Sequence, residues 1–174
     1  MANACSASCG SSTSPPAPSD HRTRRLKTAY AGSRVRAGAT FKRDHFCCRY
    51  CGGRVVPVAV MSVLSHLFPE QLPFVHTYKN VHPMYWTRGA EADHIEPGSR
   101  GGDSEAAENH ATACVRCNTA KSDNQLQDIG WRLLDPSTAD WDGLTNWYRQ
   151  LWEQAGQPHR RYHAPWLKAL TTHA

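Results

Sequence analysis

Hydrophobic positions along this chain change their period several times, and each change marks a candidate element. From Val55 to Leu67 the run VVPVAVMSVLSHL is almost wholly apolar, and Val60, Leu64 and Leu67 fall on one helical face. The interval from Phe68 to Tyr85 carries Pro69, Pro73 and Pro83 among several aromatics and reads as an ordered insertion. Ala90 to Ile95 and His110 to Cys114 are short strand candidates. Pro97 and Gly98 end the first, and Ser99-Arg-Gly-Gly-Asp forms a loop behind it. Cys117 to Leu126 predicts a helix, with good formers at Ala120, Lys121 and Gln125. Ile129 to Leu134 reads as a further strand and Pro136 to Asp140 as a turn. Trp141 to Glu153 predicts a helix in which Leu144, Trp147, Tyr148, Leu151 and Trp152 follow the 3.6-residue period. Asp140 is its candidate N-cap, Gly143 weakens its first turn, and its aromatic stripe reads as core.

The first residues behave differently. Met1 to Asp20 is rich in Ser, Ala and Pro and predicts a disordered tail. Arg22 to Asp44 interleaves basic residues with Leu26, Tyr30, Val35 and Phe41, which predicts a partly helical segment interrupted near Gly32 and Gly38. Between His21 and Arg54 the basic residues are Arg22, Arg24, Arg25, Lys27, Arg34, Arg36, Lys42, Arg43, Arg49 and Arg54, opposed only by Asp20 and Asp44. The formal net charge of +5 is mild. Its concentration in this segment is not, and a face of that kind suits a polyanion.

Seven cysteines change the picture again. No N-terminal apolar run resembles a signal peptide, and no stretch approaches 18 consecutive apolar residues. The chain is therefore expected in the cytoplasm with reduced thiols and no membrane partner, where paired Cys-x2-Cys favours metal over disulfide. Cys48, Cys51, Cys114 and Cys117 form two such pairs. Four thiolates satisfy a tetrahedral structural zinc and leave no open position on it. Gly52 and Gly53 behind Cys51 allow a knuckle turn with positive φ. Cys47 is out of register, and Cys5 and Cys9 lie in the tail without a completing partner. His66, His76 and His82 sit in or beside the insertion, where a lone histidine is more often structural or exposed than a ligand.

Between the two pairs lie Asp93-His94-Ile95-Glu96-Pro97, Arg100-Gly101-Gly102 and Asn109, and after them Cys114-Val-Arg-Cys117-Asn118-Thr-Ala-Lys121. Together with Arg43-Asp44-His45-Phe46-Cys47-Cys48-Arg49-Tyr50-Cys51-Gly52, this set resembles the zinc-bearing HNH endonucleases, in a His-Asn-Asn variant. The resemblance covers roughly Arg34 to Asp123. It implies an α+β fold: a ββα-metal nuclease core stapled by a four-cysteine structural zinc, with flanking helices. It also implies His94 as general base, Asp93 and Asn118 as holders of a catalytic Mg2+ or Mn2+, and Asn109 as the brace that orients His94. Asn118 in the last motif position, rather than His, argues for a hard ion. His110 stands where the family commonly has an apolar residue, and its side chain is compatible with either solvent or the site. On this reading the chain divides into a tail over residues 1–20, a nuclease domain over 21–128 with an insertion at about 55–89, and an extension over 129–174 with one amphipathic helix.

The chemistry agrees with those roles. A phosphodiester repels nucleophiles and has a poor leaving group, so a cation and a proton acceptor are both needed. Strand neighbours point to opposite faces, so Asp93 and His94 would approach a phosphate from different directions, the metal on the leaving side and the base on the attacking side. Glu96 is a possible extra ligand. Arg100 and Lys121 are candidate phosphate contacts, against the plainer reading of exposed charge. The function this supports is metal-dependent hydrolysis of DNA, with RNA a lesser substrate. The alternative is a zinc-stabilised nucleic-acid-binding module that does not cut, which would have no need of Asp93, His94 and Asn118.

Overall fold

The computed structural model describes residues 33–74 and 82–171. The expected tail, and with it Arg22, Arg24, Arg25 and Lys27, lies outside them, as does His76. Helix α1 occupies residues 33–43. The short strand β1 (Val56–Pro57) runs directly into α2 (Val58–Leu67), and α3 (Pro83–Arg88) leads into β2 (Gly89–His94). Then come β3 (His110–Cys114), α4 (Val115–Lys121), α5 (Thr145–Gln154) and α6 (Arg160–Thr171). No helix among the described residues is long and apolar enough to cross a membrane. The architecture is α+β.

The sheet has the order β1-β2-β3. β2 and β3 pair antiparallel from Ala90↔Cys114 to His94↔His110, whereas β1 pairs with β2 only at Gly89 and Ala90. From Glu91 onward the outer edge of β2 therefore has no strand beside it among the described residues. The core is continuous: Phe41 of α1, Val60 and Val63 of α2, Tyr148 and Trp152 of α5, and Leu167 and Leu170 of α6 join Cys48 and Cys114 in one buried cluster. The C-terminal helices thus share the core of the ββα unit.

Several elements differ from expectation, each for a local reason. The helix after the second cysteine pair begins at Val115 and ends at Lys121, because Cys114 caps it and Ser122 leaves the helical region at φ 51°. Residues Ile129 to Leu134 are not a strand. A 3₁₀ turn (Leu126–Ile129) occupies their start, and the Leu134 amide and carbonyl both bond Arg49, its carbonyl and its guanidinium respectively. α5 starts at Thr145 because Gly143 and Leu144 both adopt left-handed backbone, and Asp142 rather than Asp140 accepts from the Leu144 and Asn146 amides. Its stripe is only partly core: Tyr148 and Trp152 are buried, but Trp147 is 56% exposed. The extension holds two helices rather than one. Gly38 does not interrupt α1. A Cβ there would sit 3.0 Å from the Ala169 carbonyl oxygen, so the glycine lets α6 approach the helix closely.

The pairing of α5 with α6 buries an ionisable group. His163 is fully buried, with Nδ1 2.7 Å from the Tyr148 hydroxyl and its ring edge-on to Tyr162. Burial lowers its pKa from 6.5 to about 4, with smaller contributions from His159 and His66. A depressed folded value means that the unfolded chain takes up the proton first. Stability is therefore complete above pH 6.5 and declines as pH falls towards about 4, by a total on the order of 3 kcal/mol. Urea denaturation at pH 7 and pH 5 should show this loss in the wild type, and a smaller loss in His163→Gln, which cannot take the proton. Equal losses in the two proteins would assign the pH dependence elsewhere.

Candidate metal centre and active-site cleft

The knuckle around Cys48 closes through the Cys48 amide on the Gly53 carbonyl and the Gly52 amide on the Cys48 carbonyl, with Gly52 at φ 72°. The second pair lies where β3 ends and α4 begins, and the Cys114 sulfur accepts the Cys117 amide. The four sulfurs of Cys48, Cys51, Cys114 and Cys117 all lie within 4.8 Å of one another. Tetrahedral zinc with bonds near 2.3 Å sets its sulfurs about 3.8 Å apart, so this cluster fits. Cys47 is buried but outside it. A hydrogen bond that the Cys48 thiol donates to Cys114, and burial, both raise the Cys48 thiol. Burial and the charge of Cys48 push Cys117 up to about 12. Such thiols give up their protons once a dication shares the site.

The two residues between the knuckle cysteines reach into the rest of the fold. Arg49 donates to Asp44 Oδ1 at 3.0 Å and to the Leu134 carbonyl. Tyr50 donates its hydroxyl to Asp93 Oδ2 at 2.7 Å. Burial raises the Tyr50 phenol and the Asp93 carboxylate raises it further, which keeps the phenol a donor. Asp44 itself is fully buried. Burial alone would raise its pKa, but the hydrogen bond from Arg43, the Thr112 amide and the Arg43 charge together hold it below the usual carboxylate value. Through Arg43, which also donates to the carbonyls of Ala107 and His110, this carboxylate fastens β3 to the end of α1.

Strand alternation divides β2 between two faces. On one, Glu91 and Asp93 meet α4. Asn118 Nδ2 lies 2.6 Å from Glu91 Oε2, and Lys121 Nζ lies 3.2 Å from Asp93 Oδ2. On the other, His94 stacks on its cross-strand partner His110, with ring centroids 4.7 Å apart. His110 is buried, not turned to solvent, and its Nδ1 donates to the Ala106 carbonyl at 2.8 Å. Asn109 braces the intervening loop. Its Oδ1 accepts the Glu96 amide, and its Nδ2 donates to the carbonyls of Glu96 and Asp103. Gly102 is required beside it, because a Cβ there would fall 2.0 Å from the Glu96 carbonyl oxygen.

Because the edge of β2 is open past Ala90, side chains of both faces line one cleft of about 590 Å³. Glu91, His94, His110 and Asn118 meet there with Arg34, Arg36 and Glu105. Two expected participants are elsewhere. Asp93 is 8% exposed and does not line the cleft, being held by Tyr50 and Lys121. The expected placement of Asp93 on the leaving side of a phosphate does not match this arrangement. Lys121, expected as a phosphate contact, is fully buried and donates to the His94 carbonyl at 2.7 Å. Arg100 is exposed, and so is Glu96, whose backbone rather than carboxylate engages Asn109. The basic face is partly committed to structure, since Arg43 and Arg49 bind Asp44, while Arg36 pairs with Glu105 across the cleft at 2.6 Å. Sequence reasoning missed Glu91. Its signal was available: it stands two residues before Asp93 and so shares that face, just as Asn118 stands one turn before Lys121.

Comparison with known proteins reaches part of the chain. No curated protein and no solved structure matches it. The family model described as HNH endonuclease matches residues 79–124, the span that holds β2, the braced loop, β3, the second cysteine pair and α4. Over residues 79–124 the chain is thus similar to the HNH endonucleases.

Proposed function

We propose that the chain is a metal-dependent endonuclease that hydrolyses phosphodiester bonds of DNA, with His94 as general base and a structural zinc on the four cysteines. The observation that carries this reading is the meeting of His94 and Asn118 in one cleft beneath Arg34 and Arg36. A module that only bound nucleic acid would need the cations but not the base. The donor set suits a hard divalent ion: the amide oxygen of Asn118 with a carboxylate from β2 would hold Mg2+ or Mn2+. When bound, such an ion supplies charge neutralisation at the phosphate and the leaving oxygen.

The remaining work falls to this chain's own side chains. His94 takes the proton of the attacking water at a ring nitrogen, and the His110 ring restrains its tilt. Asn109 and Gly102 fix the loop that follows His94, so the base does not have to be oriented during the reaction. Arg34 and Arg36 attract the polyanion, and Arg36 does so in exchange for its pairing with Glu105.

With supercoiled plasmid and magnesium, His94→Ala should lose about 10²–10⁴-fold in cleavage rate while retaining fold, zinc and DNA binding, since a base acts only on the way to the transition state. Added Mg2+ or Mn2+ should not restore it. Cleavage by His94→Ala at the wild-type rate would remove His94 from the base role. DNA binding without cleavage by the wild type would favour the non-cutting module.

Metal analysis of protein purified without added zinc should find one zinc per chain. Cys114→Ser should lose the zinc and unfold at far lower temperature, because zinc supplies on the order of 10 kcal/mol to small zinc domains. Full zinc and stability in that variant would refute the assignment.

A further inference from the structure

We infer that Trp166 is a stacking platform for an unpaired base, so that the preferred substrate is DNA with an unpaired nucleotide beside the bond to be cut. The inference rests on the nuclease reading above and names a substrate class for the same cleft. Trp166 lies on α6, outside the span that the family model matches. It nevertheless lines the cleft together with His94 and Asn118. Three features hold it there. Leu167 and Leu170 bury α6 in the core, the His163 ring meets the Tyr148 hydroxyl, and Gly38 lets α6 approach α1. Trp166 itself is half-buried and packs against that core, so its ring is backed by a fixed wall.

The lining suits a nucleotide better than a backbone phosphate alone. The two arginines of the cleft, Arg34 and Arg36, are matched by two glutamates, Glu91 and Glu105, which leaves it near neutral. Much of the remaining wall is apolar, from Val58 and Ala92 to Trp166. A groove that only tracked phosphates would carry an excess of cations and need no such wall. Phe41 also borders the cleft but is fully buried, so Trp166 is the larger aromatic surface that a ligand there would meet. Tyr162 stands one turn before Trp166, and the Arg34 guanidinium lies over its ring, 5.8 Å from the centroid. Cation and aromatic rings are thus grouped on the side of α6 that meets α1, the combination on which single strands stack their bases. The cleft volume of about 590 Å³ falls within the roughly 300–1,000 Å³ of small-molecule pockets, room enough for one nucleotide. Inside a duplex both faces of a base are covered by its neighbours. Taking a paired base out costs unstacking and unpairing, and the cost is least where the base is already unpaired. Trp166 therefore selects for DNA structure rather than for sequence, because every base has a π-face.

The test is fluorescence anisotropy of the zinc-loaded full chain with labelled DNA and no added Mg2+, so that nothing is cut. Two duplexes of one sequence are compared, one perfect and one with a single bulged nucleotide. The wild type should bind the bulged duplex about 5–150-fold more tightly, the range that one base–aromatic stack supplies. Trp166→Leu should lose that preference, and Trp166→Phe should keep most of it, since it keeps an aromatic face. With 2-aminopurine as the bulged base, binding to the wild type should quench its fluorescence as the base stacks. Melting temperature and zinc content report whether each variant folds; should Trp166→Leu fail, the quench and the Trp166→Phe comparison still decide. Equal affinity of the wild type for both duplexes, a preference that survives in folded Trp166→Leu, or an unquenched base in the bound complex would overturn the inference. So would an equal loss on both duplexes, which reports a structural role alone. If the wild type cuts plasmid with Mg2+ yet shows no preference, only this inference fails. If it prefers the bulge through Trp166 yet never cuts, the platform stands and the nuclease reading falls.

Discussion

Four sulfurs within 4.8 Å of one another, all but that of Cys51 on buried or half-buried residues, constrain everything else in the site. Thiols so placed resist ionisation, as the raised values of Cys48 and Cys117 express, and a tetrahedral dication removes that resistance. The geometry this imposes is specific. One pair ends a turn after α1, and the other joins β3 to α4, so closing the cluster fixes where α4 begins. Asn118 follows Cys117 directly, and Lys121 lies one turn further. The knuckle also delivers its two intervening side chains, Arg49 to Asp44 and Tyr50 to Asp93. The zinc-type corner therefore positions both the helix that faces β2 and the carboxylate beneath His94, although none of its sulfurs lines the cleft with that histidine.

Asp44 is the second organising charge. A fully buried carboxylate is tolerated here because two arginines and the Thr112 amide meet its oxygens. Arg43 then extends to the carbonyls of Ala107 and His110, at the turn entering β3. The basic residues nearest the first cysteine pair are thus used twice over as structure. Among the described residues lining the cleft, the arginines are Arg34 and Arg36, both on α1, Arg34 over the Tyr162 ring and Arg36 paired with Glu105.

What the sequence made legible follows from how local each signal is. The extent of β3 could be read to the residue because it ends on a cysteine of fixed role. That His94 and Asn118 would share a cleft, and that Asn109 would brace the loop between them, was legible because the motif carries all three. The start of α5 was misplaced because capping by Asp142 depends on two successive left-handed residues, one of them Leu144, which composition does not announce. α6 went unread because Pro165 stands inside it, where a proline ordinarily ends a helix. The pairing of β2 carboxylates with α4 was not legible at all. It depends on Lys121 turning inward, and an isolated lysine at the end of a short helix reads as exposed charge.

That inward lysine explains how one strand serves two purposes. A buried ion pair seldom adds stability over a well-packed apolar pair, so Asp93 and Lys121 are poorly explained as mere stabilisers. Their geometry gives a better account. The ammonium binds the side chain of residue 93 and the carbonyl of residue 94 at once, which locks the peptide between them. Tyr50 fixes the same carboxylate from the knuckle side. With that peptide held, the strand can leave its outer edge open past Ala90 without the chain fraying, and the His94 ring can project into the cleft against His110. On the nuclease reading proposed above, a charge held rigid under the sheet would place the group on the other face before a substrate arrives, which is where preorganisation has its effect on rate.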